Sequence, residues 1–376
     1  MQNDTFSSDL VTQTQPYAAL TPEKVLDSLE QIGLVPDGRL MPLSSYENRV
    51  YQCGLDSPYQ NHRHVVLKFY RPARWTEAQI QEEHAFAYAL QHAEVPVVAP
   101  LMFEGQSLHR CDDFYFSVSP YRGGRRPELE DDEVLMWIGR FLARLHTVGE
   151  QQAFVHRPRL SRLHLGCSSR DWLLAHKALP LEMRSRWEQT VNRALDVLAE
   201  AAPELLMDEV FDKNLPKKEA ENVTNKSASE FFDEENKLQF LRLHGDCHPG
   251  NILWTPMELP QGGPHFVDLD DARMGPAIQD LWMLLPGGNR KEQVEVLSVL
   301  VEGYEQFRPF NRRELALMEP LRTLRHIHYS AWLARRWQDP IFPINFPWFG
   351  SHAYWAEQIQ QLEVQIEAML EPPLVV

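Results

Sequence analysis

The chain has 376 residues, of which 43% are apolar and 24% charged, close to an ordinary soluble globular protein and long enough to bury a sizeable core without disulfides or structural metals. Its 37 Lys and Arg against 53 Asp and Glu leave a net charge of −16, which excludes a main task of coating nucleic acid or anionic lipid, since either needs a basic surface. Cys53, Cys111, Cys167 and Cys247 form no C-x-x-C pair, the N-terminus lacks a basic start and an apolar run, and no stretch approaches a membrane-spanning length; reduced thiols and a monomeric cytoplasmic protein, with no nucleic-acid or membrane partner, are expected.

Residues 1–20 are polar and aperiodic and are expected to be a flexible tail. A helix follows: Thr21 suits the N-cap, Pro22 the first helical position and Gly33 the C-terminal cap, with Val25, Leu26, Leu29 and Ile32 on one face. Val50–Cys53, His64–Tyr70 and Phe114–Ser119 read as short strands, rich in β-branched and aromatic residues. One helix interrupts them, over about 76–92. After Gly123-Gly124 the residues Val134, Leu135, Ile138, Phe141, Leu142 and Leu145 recur with a helical period. A mostly β front and a mostly helical back predict two lobes joined near Pro120–Arg126. The first lobe is placed at 21–121 and the second at 122–376.

Residues 204–237 hold ten acids and five bases. A polar surface insertion is expected at about 207–238. The final third alternates helical patterns with one Pro/aromatic loop, Asp339–Gly350.

The stretch Leu241-Arg-Leu-His-Gly-Asp-Cys-His-Pro-Gly-Asn-Ile-Leu-Trp254, followed by His265-Phe-Val-Asp-Leu-Asp-Asp271, predicts a strand, a polar loop at 244–251, a second strand and its hairpin partner. Asp246, Asn251 and Asp268 would then converge at strand ends. Phosphoryl transfer from ATP needs Mg²⁺ held against the phosphates and a carboxylate facing the acceptor hydroxyl. An amide oxygen and a carboxylate are suitable hard ligands for Mg²⁺. An Asp, an Asn five residues later and an Asp behind a strand is the spacing of kinase catalytic loops.

HGDCHPGNIL resembles the signature of the aminoglycoside phosphotransferase and choline kinase-like branch of the protein-kinase fold. Ser44–Tyr51, Val66–Pro72, Asp268–Arg273, Gln279–Leu285 and Asn345–Trp348 resemble a narrower group, the bacterial stress response kinase A proteins, which are Ser/Thr protein kinases. The resemblance spans roughly residues 15 to 373; the 207–238 insertion is extra. It implies an α+β, bilobal protein-kinase-like fold, with an antiparallel sheet plus helix in the N-lobe and a larger helical C-lobe. It implies Asp246 as catalytic base, or as the group orienting the substrate hydroxyl. Asn251 and Asp268 would bind Mg²⁺, and Lys68 would contact the α- and β-phosphates of ATP. Glu83 would pair with Lys68, with Glu82 as its competitor on helix register. Ser45 would approach the phosphates, and Asp280 would support the catalytic loop. The implied reaction moves the ATP γ-phosphoryl group to a protein Ser or Thr, in bacterial stress response. A small-molecule kinase acting on a metabolite or antibiotic (aminoglycoside, choline or homoserine kinase-like) is the alternative. A pseudokinase is the third reading, against which Lys68, Asp246 and Asp268 all stand.

Two departures from ordinary protein kinases matter. Ser44-Ser45 stands where a glycine-rich loop would cover the phosphates, and Gly245 stands where many protein kinases carry Arg. Only 11 residues separate Asp268 from Asp280, too few for a long activation segment. Other readings are blander. Pro249-Gly250 argues against a zinc site at His244, Cys247 and His248, and the role of His248 is open. Arg122, Arg125 and Arg126 suit a solvated loop as well as a phosphate site. Most of Trp332, Trp337, Phe346, Trp348 and Trp355 suit core packing.

Overall fold

The computed structural model describes residues 15–206 and 238–376. Helix α1 (Pro22–Gln31) starts at Thr21, whose hydroxyl accepts the Lys24 N–H, and Gly33 just beyond it has φ +82°. Next come β1 (Pro36–Pro42), β2 (Arg49–Tyr59), β3 (His62–Phe69), helix α2 (Glu77–His92), β4 (His109–Cys111) and β5 (Phe114–Pro120). The strands form one antiparallel sheet in the order β1-β2-β3-β5-β4. Val65, Leu67 and Phe69 of β3 are buried in one cluster with Val25 and Leu29 of α1. Because side chains alternate along a strand, Lys68 leaves on the opposite face.

Strands β1 and β4 lie outside the three stretches anticipated from sequence. Pro36, Gly38 and Pro42 mask β1, and such residues are tolerated because it is an edge strand. Three residues are too few for β4 to show a period. The tail expected over 1–20 is packed from Gln15 onward: Tyr17 and Leu20 are buried, and the Tyr17 hydroxyl donates to the carbonyls of Glu47 (3.1 Å) and Phe69 (3.3 Å). One aromatic and one leucine anchor this segment, too few to give a periodic signal. Residues 1–14 lie outside the described residues. So does the expected insertion at 207–238, apart from Leu238, which is buried.

The second lobe contains α3 (Asp132–Glu150), α4 (Ser168–Ala175), α5 (Leu181–Ala201), α6 (Ile278–Trp282), α7 (Arg290–Glu305), α8 (Met318–Arg336), α9 (Ile341–Asn345) and α10 (His352–Leu370). Two small ladders lie among these helices. Strand β6 (Leu241–Leu243) pairs with β9 (Arg273–Gly275), and β7 (Ile252–Thr255) pairs with β8 (Gly263–Phe266). The fold is therefore α+β with two lobes, an antiparallel sheet first and a helical body second. Helix α2 belongs to both. It lies between β3 and β4 in sequence, yet its Phe86, Ala87 and Leu90 are buried in the same cluster as Ile138 of α3 and Phe266 of β8. No helix among the described residues is long and apolar enough to cross a membrane.

Tyr17→Ala should cost about 2–4 kcal/mol of unfolding free energy, the range for losing a buried aromatic. Urea unfolding of the full chain checks this, and a loss below about 0.5 kcal/mol would mean that the segment contributes nothing.

Candidate active site

Lys68 stands mid-sheet, in register with Val50 of β2 and Ser117 of β5. Its ammonium lies 3.2 Å from Glu83, 3.0 Å from Asp268 and 3.2 Å from Asp270. Burial disfavours the cation, but Asp268, Asp270 and Glu83 outweigh it and hold the proton affinity of Lys68 well above that of an ordinary lysine. The lysine is cationic at every physiological pH.

Helix register separates the two candidate glutamates. Thr76 opens α2 with a reciprocal capping box to Gln79. From that start Glu83 turns inward to Lys68, and its other oxygen accepts from Arg157 Nη2 at 2.8 Å. Glu82 instead accepts the N–H groups of Val155, His156 and Arg157 at 2.6–2.9 Å. Arg157 also donates to the carbonyls of Asp270 and Ala272 at 2.8 and 2.9 Å. One guanidinium thus ties α2 to the loop that carries Asp268 and Asp270.

Asp268 sits just after β8 with φ +61° and ψ +66°. A non-glycine residue held left-handed is strained, and such strain is often found at working sites. Its side chain is 45% exposed, whereas Asp270 is buried against Arg74 at 2.9 Å. Asp268 is therefore the acid of the trio that still faces solvent.

The polar loop at 244–251 is suspended from Asp280 of α6. That buried carboxylate accepts the N–H groups of His244 (2.8 Å) and Gly245 (2.9 Å) and contacts His146 Nε2 at 3.1 Å. Gly245 has φ +85°, and a Cβ there would lie 2.1 Å from the Asp271 carbonyl oxygen. An arginine cannot occupy this position without displacing the Asp271 backbone, which explains the glycine. The Asn251 amide donates to the carbonyl (3.0 Å) and carboxylate (3.4 Å) of Asp246. Its NH₂ group is thereby used, which leaves the side-chain Oδ1 as the acceptor end of the amide. The Val267 N–H donates to the main-chain carbonyl of Asn251 at 3.0 Å, joining this loop to the Asp268 segment.

The residues singled out from sequence thus form two linked groups. Lys68 touches both Glu83 and Asp268, and Asp246 and Asn251 touch each other. Ser45 is half-buried in the turn between β1 and β2. Two residues further on, Glu47 of the same turn lies 3.3 Å from Arg74. Asn251 and Asp268 offer hard oxygen donors, the chemistry that suits Mg²⁺ completed by phosphate oxygens and water. Among the described residues no group of three or more His, Cys, Asp or Glu is arranged to hold a metal. His244 is buried, with its Nε2 on the Val267 carbonyl at 3.0 Å. Burial lowers the proton affinity of His248, and its Nδ1 accepts the Gly250 N–H.

Asp270, Arg74 and Arg157 were not anticipated from sequence, nor was Arg325 of α8. The Arg325 guanidinium lies 2.8 Å from the Asp246 carboxylate, although 78 residues separate the two in the chain. No local motif marks it. It also lines a cavity of about 1030 Å³ with Trp282, Tyr329, Trp348, Gln361 and Glu357. Of the aromatic residues weighed above, Trp355 is fully buried and Trp348 is 44% exposed at this cavity. Arg122 bonds to Gln261 and Arg125 pairs with Glu128.

Residues 39–318 match the model of the phosphotransferase enzyme family. The chain is 41% identical to stress response kinase A of Escherichia coli (strain K12) and 40% identical to serine/threonine protein kinase RdoA of Salmonella typhimurium, each match covering 95% of this chain and 96% of the relative. The chain belongs to the phosphotransferase enzyme family. Its alignment with amicoumacin kinase hAmiN, solved with AMP-PNP, Ca²⁺ and Ami, has a TM-score of 0.62 at 17% identity and covers 95% of this chain and 96% of that one. That likeness is one of fold. As a member of this family the chain is an ATP-dependent kinase.

His84, beside Glu83, has its ring nitrogens 2.8 Å from the Tyr70 hydroxyl and 2.9 Å from the Ser107 hydroxyl. Burial, then Lys68 and Arg157, lower its pKa to about 3. The unfolded chain takes up this proton near pH 6.5, so between the two values the unfolded state binds more protons and stability falls as pH falls. Between pH 7 and 5 the wild type should lose about 2 kcal/mol more than His84→Gln. Urea unfolding at both pH values measures the difference, and parallel losses would show that the histidine titrates normally.

Proposed function

We propose that the chain is a Mg²⁺-dependent serine/threonine protein kinase acting in bacterial stress response. The observation that carries this reading is the convergence of Lys68, Glu83 and Asp268 beside a loop presenting Asp246 and Asn251. The choice of acceptor and the physiological setting rest on the likeness to stress response kinase A and serine/threonine protein kinase RdoA over nearly the whole chain.

Lys68 would neutralise the α- and β-phosphates, and Glu83 keeps its ammonium aimed at them. Asn251 Oδ1 and Asp268 would hold Mg²⁺, which offsets charge on the phosphates when bound. Asp246 orients the acceptor hydroxyl. The hydroxyl oxygen forms a bond to the γ-phosphorus, the bond from that phosphorus to the β-bridging oxygen breaks, and the hydroxyl proton passes to Asp246 before release to solvent. In a loose transition state the acceptor needs aim more than strong deprotonation. Arg325 holds the Asp246 carboxylate for that aim. Positioning and charge balance then supply most of the acceleration.

The cavity beside Asp246 bears on the acceptor. Aromatic rings and glutamine amides dominate its wall, and Glu357 is its one carboxylate beside Arg322 and Arg325. A polycationic aminoglycoside would lack counter-charges there. The wall suits an acceptor that stacks and hydrogen-bonds, such as a peptide segment. The size of the cavity favours a second reading, because small-molecule sites span about 300–1,000 Å³. A neutral metabolite hydroxyl is the acceptor in that case.

Labelled ATP incubated with the purified protein, alone and with cell extract, separates the two. Label on protein Ser or Thr is expected; ADP release only when a metabolite is added, with no labelled protein, would give the second reading. Asp246→Asn should lower turnover by about 10²–10⁴ while melting like the wild type. Near-native turnover would remove Asp246 from its assigned role.

A further inference from the structure

The short link between Asp268 and Asp280 leaves 11 residues, so lobe alignment needs a source other than a long activation segment. Glu47 provides one. It lies two residues after Ser45 in the β1–β2 turn, and its carboxylate is shared among partners from both lobes. Arg336 of α8 donates to it from Nε (2.5 Å) and Nη2 (2.8 Å), and the Trp332 indole N–H donates at 2.6 Å. Arg71 and Arg74 stand 3.3 Å away on the N-lobe side. Asp339 adds a second stitch, with Arg49 at 3.0 Å and Arg71 at 2.8 Å. The Tyr46 ring meets Phe346 edge-on at 5.0 Å. The segment Ser44–Asn48 contains no glycine. It is held by side chains where a glycine-rich loop would close onto ATP.

We propose that Arg336 is a positioning residue for the nucleotide: through Glu47 it fixes the Ser44–Asn48 turn against the helical lobe at the level of the phosphates. The inference rests on the assignment of that turn to the ATP phosphates made above. The guanidinium binds Glu47 through Nε and Nη2, so its action on ATP is indirect. Helix α8 also carries Arg325, which holds Asp246. One helix therefore sets the nucleotide turn and the acceptor-facing carboxylate in a common frame. The alignment is built in and needs no phosphorylation between Asp268 and Asp280.

Backbone hydrogen exchange over residues 43–50 of the nucleotide-free protein tests the clamp, and calorimetric titration with Mg·ATP tests its consequence. In Arg336→Ala the turn should exchange at least about tenfold faster, and the Kd for Mg·ATP should rise about tenfold, as expected when a tenth of the molecules hold the competent turn. Arg336→Lys keeps the charge and should recover most of the affinity. Trp332→Phe keeps the ring, removes the N–H donor and should shift both readouts the same way, which guards against poor folding of Arg336→Ala. Unchanged exchange in both Arg336→Ala and Trp332→Phe would overturn the clamp itself. Faster exchange with unchanged ATP affinity would overturn the proposal differently, by removing the turn from the phosphates. A lowered melting temperature with both readouts unchanged would reduce Arg336 to a stabilising contact.

Discussion

A single, largely enclosed ammonium organises this molecule. Lys68 faces three carboxylates from two elements, Glu83 on α2 and Asp268 and Asp270 after β8. Charges removed from water are tolerated only when paired and hydrogen-bonded. Three acids around one lysine would repel one another without further cations. Arg157 covers Glu83, and Arg74 covers Asp270. Asp268 is the one left facing solvent. The arrangement leaves one acid available to a metal ion and commits the other two to structure.

The same bonds set the lobes. Helix α2 lies between two strands of the sheet in sequence but buries its apolar face with α3 and β8. Glu82 receives three N–H groups from residues 155–157, and Arg157 links Glu83 to the carbonyls of 270 and 272. The lysine partner is therefore positioned by the helical lobe, not by a swinging helix. Asp280 does the same from below, where it takes the N–H groups of residues 244 and 245. Gly245 lets the same loop pass against the backbone of residue 271, whose carbonyl a side chain there would meet.

Local chemistry was legible in the sequence, and partnerships across the fold were not. The loop 244–251 stood out because Asp, Asn, Pro and Gly sit between two short apolar runs. The strand around Lys68 stood out by its β-branched and aromatic residues, and the lysine itself came in through the family resemblance. A helix over about 76–92 was expected, but assigning the lysine to Glu83 instead of Glu82 took a register fixed to within one residue by the Thr76–Gln79 cap and by packing. Arg74, Arg157, Arg325 and Glu47 carry no local signature. Their meaning comes from neighbours up to 289 positions away, as with Glu47 and Arg336. Strand β1 was hidden by its prolines, and Tyr17 by the polar residues around it.

The most direct test is a calorimetric titration of ATP into the wild type and into Lys68→Met, each with and without Mg²⁺. The account predicts Mg²⁺-dependent binding to the wild type and at least about tenfold weaker binding to Lys68→Met, a loss of roughly 1.4 kcal/mol or more. Equal affinity in the two proteins, or a folded wild type that takes up no nucleotide, would contradict it.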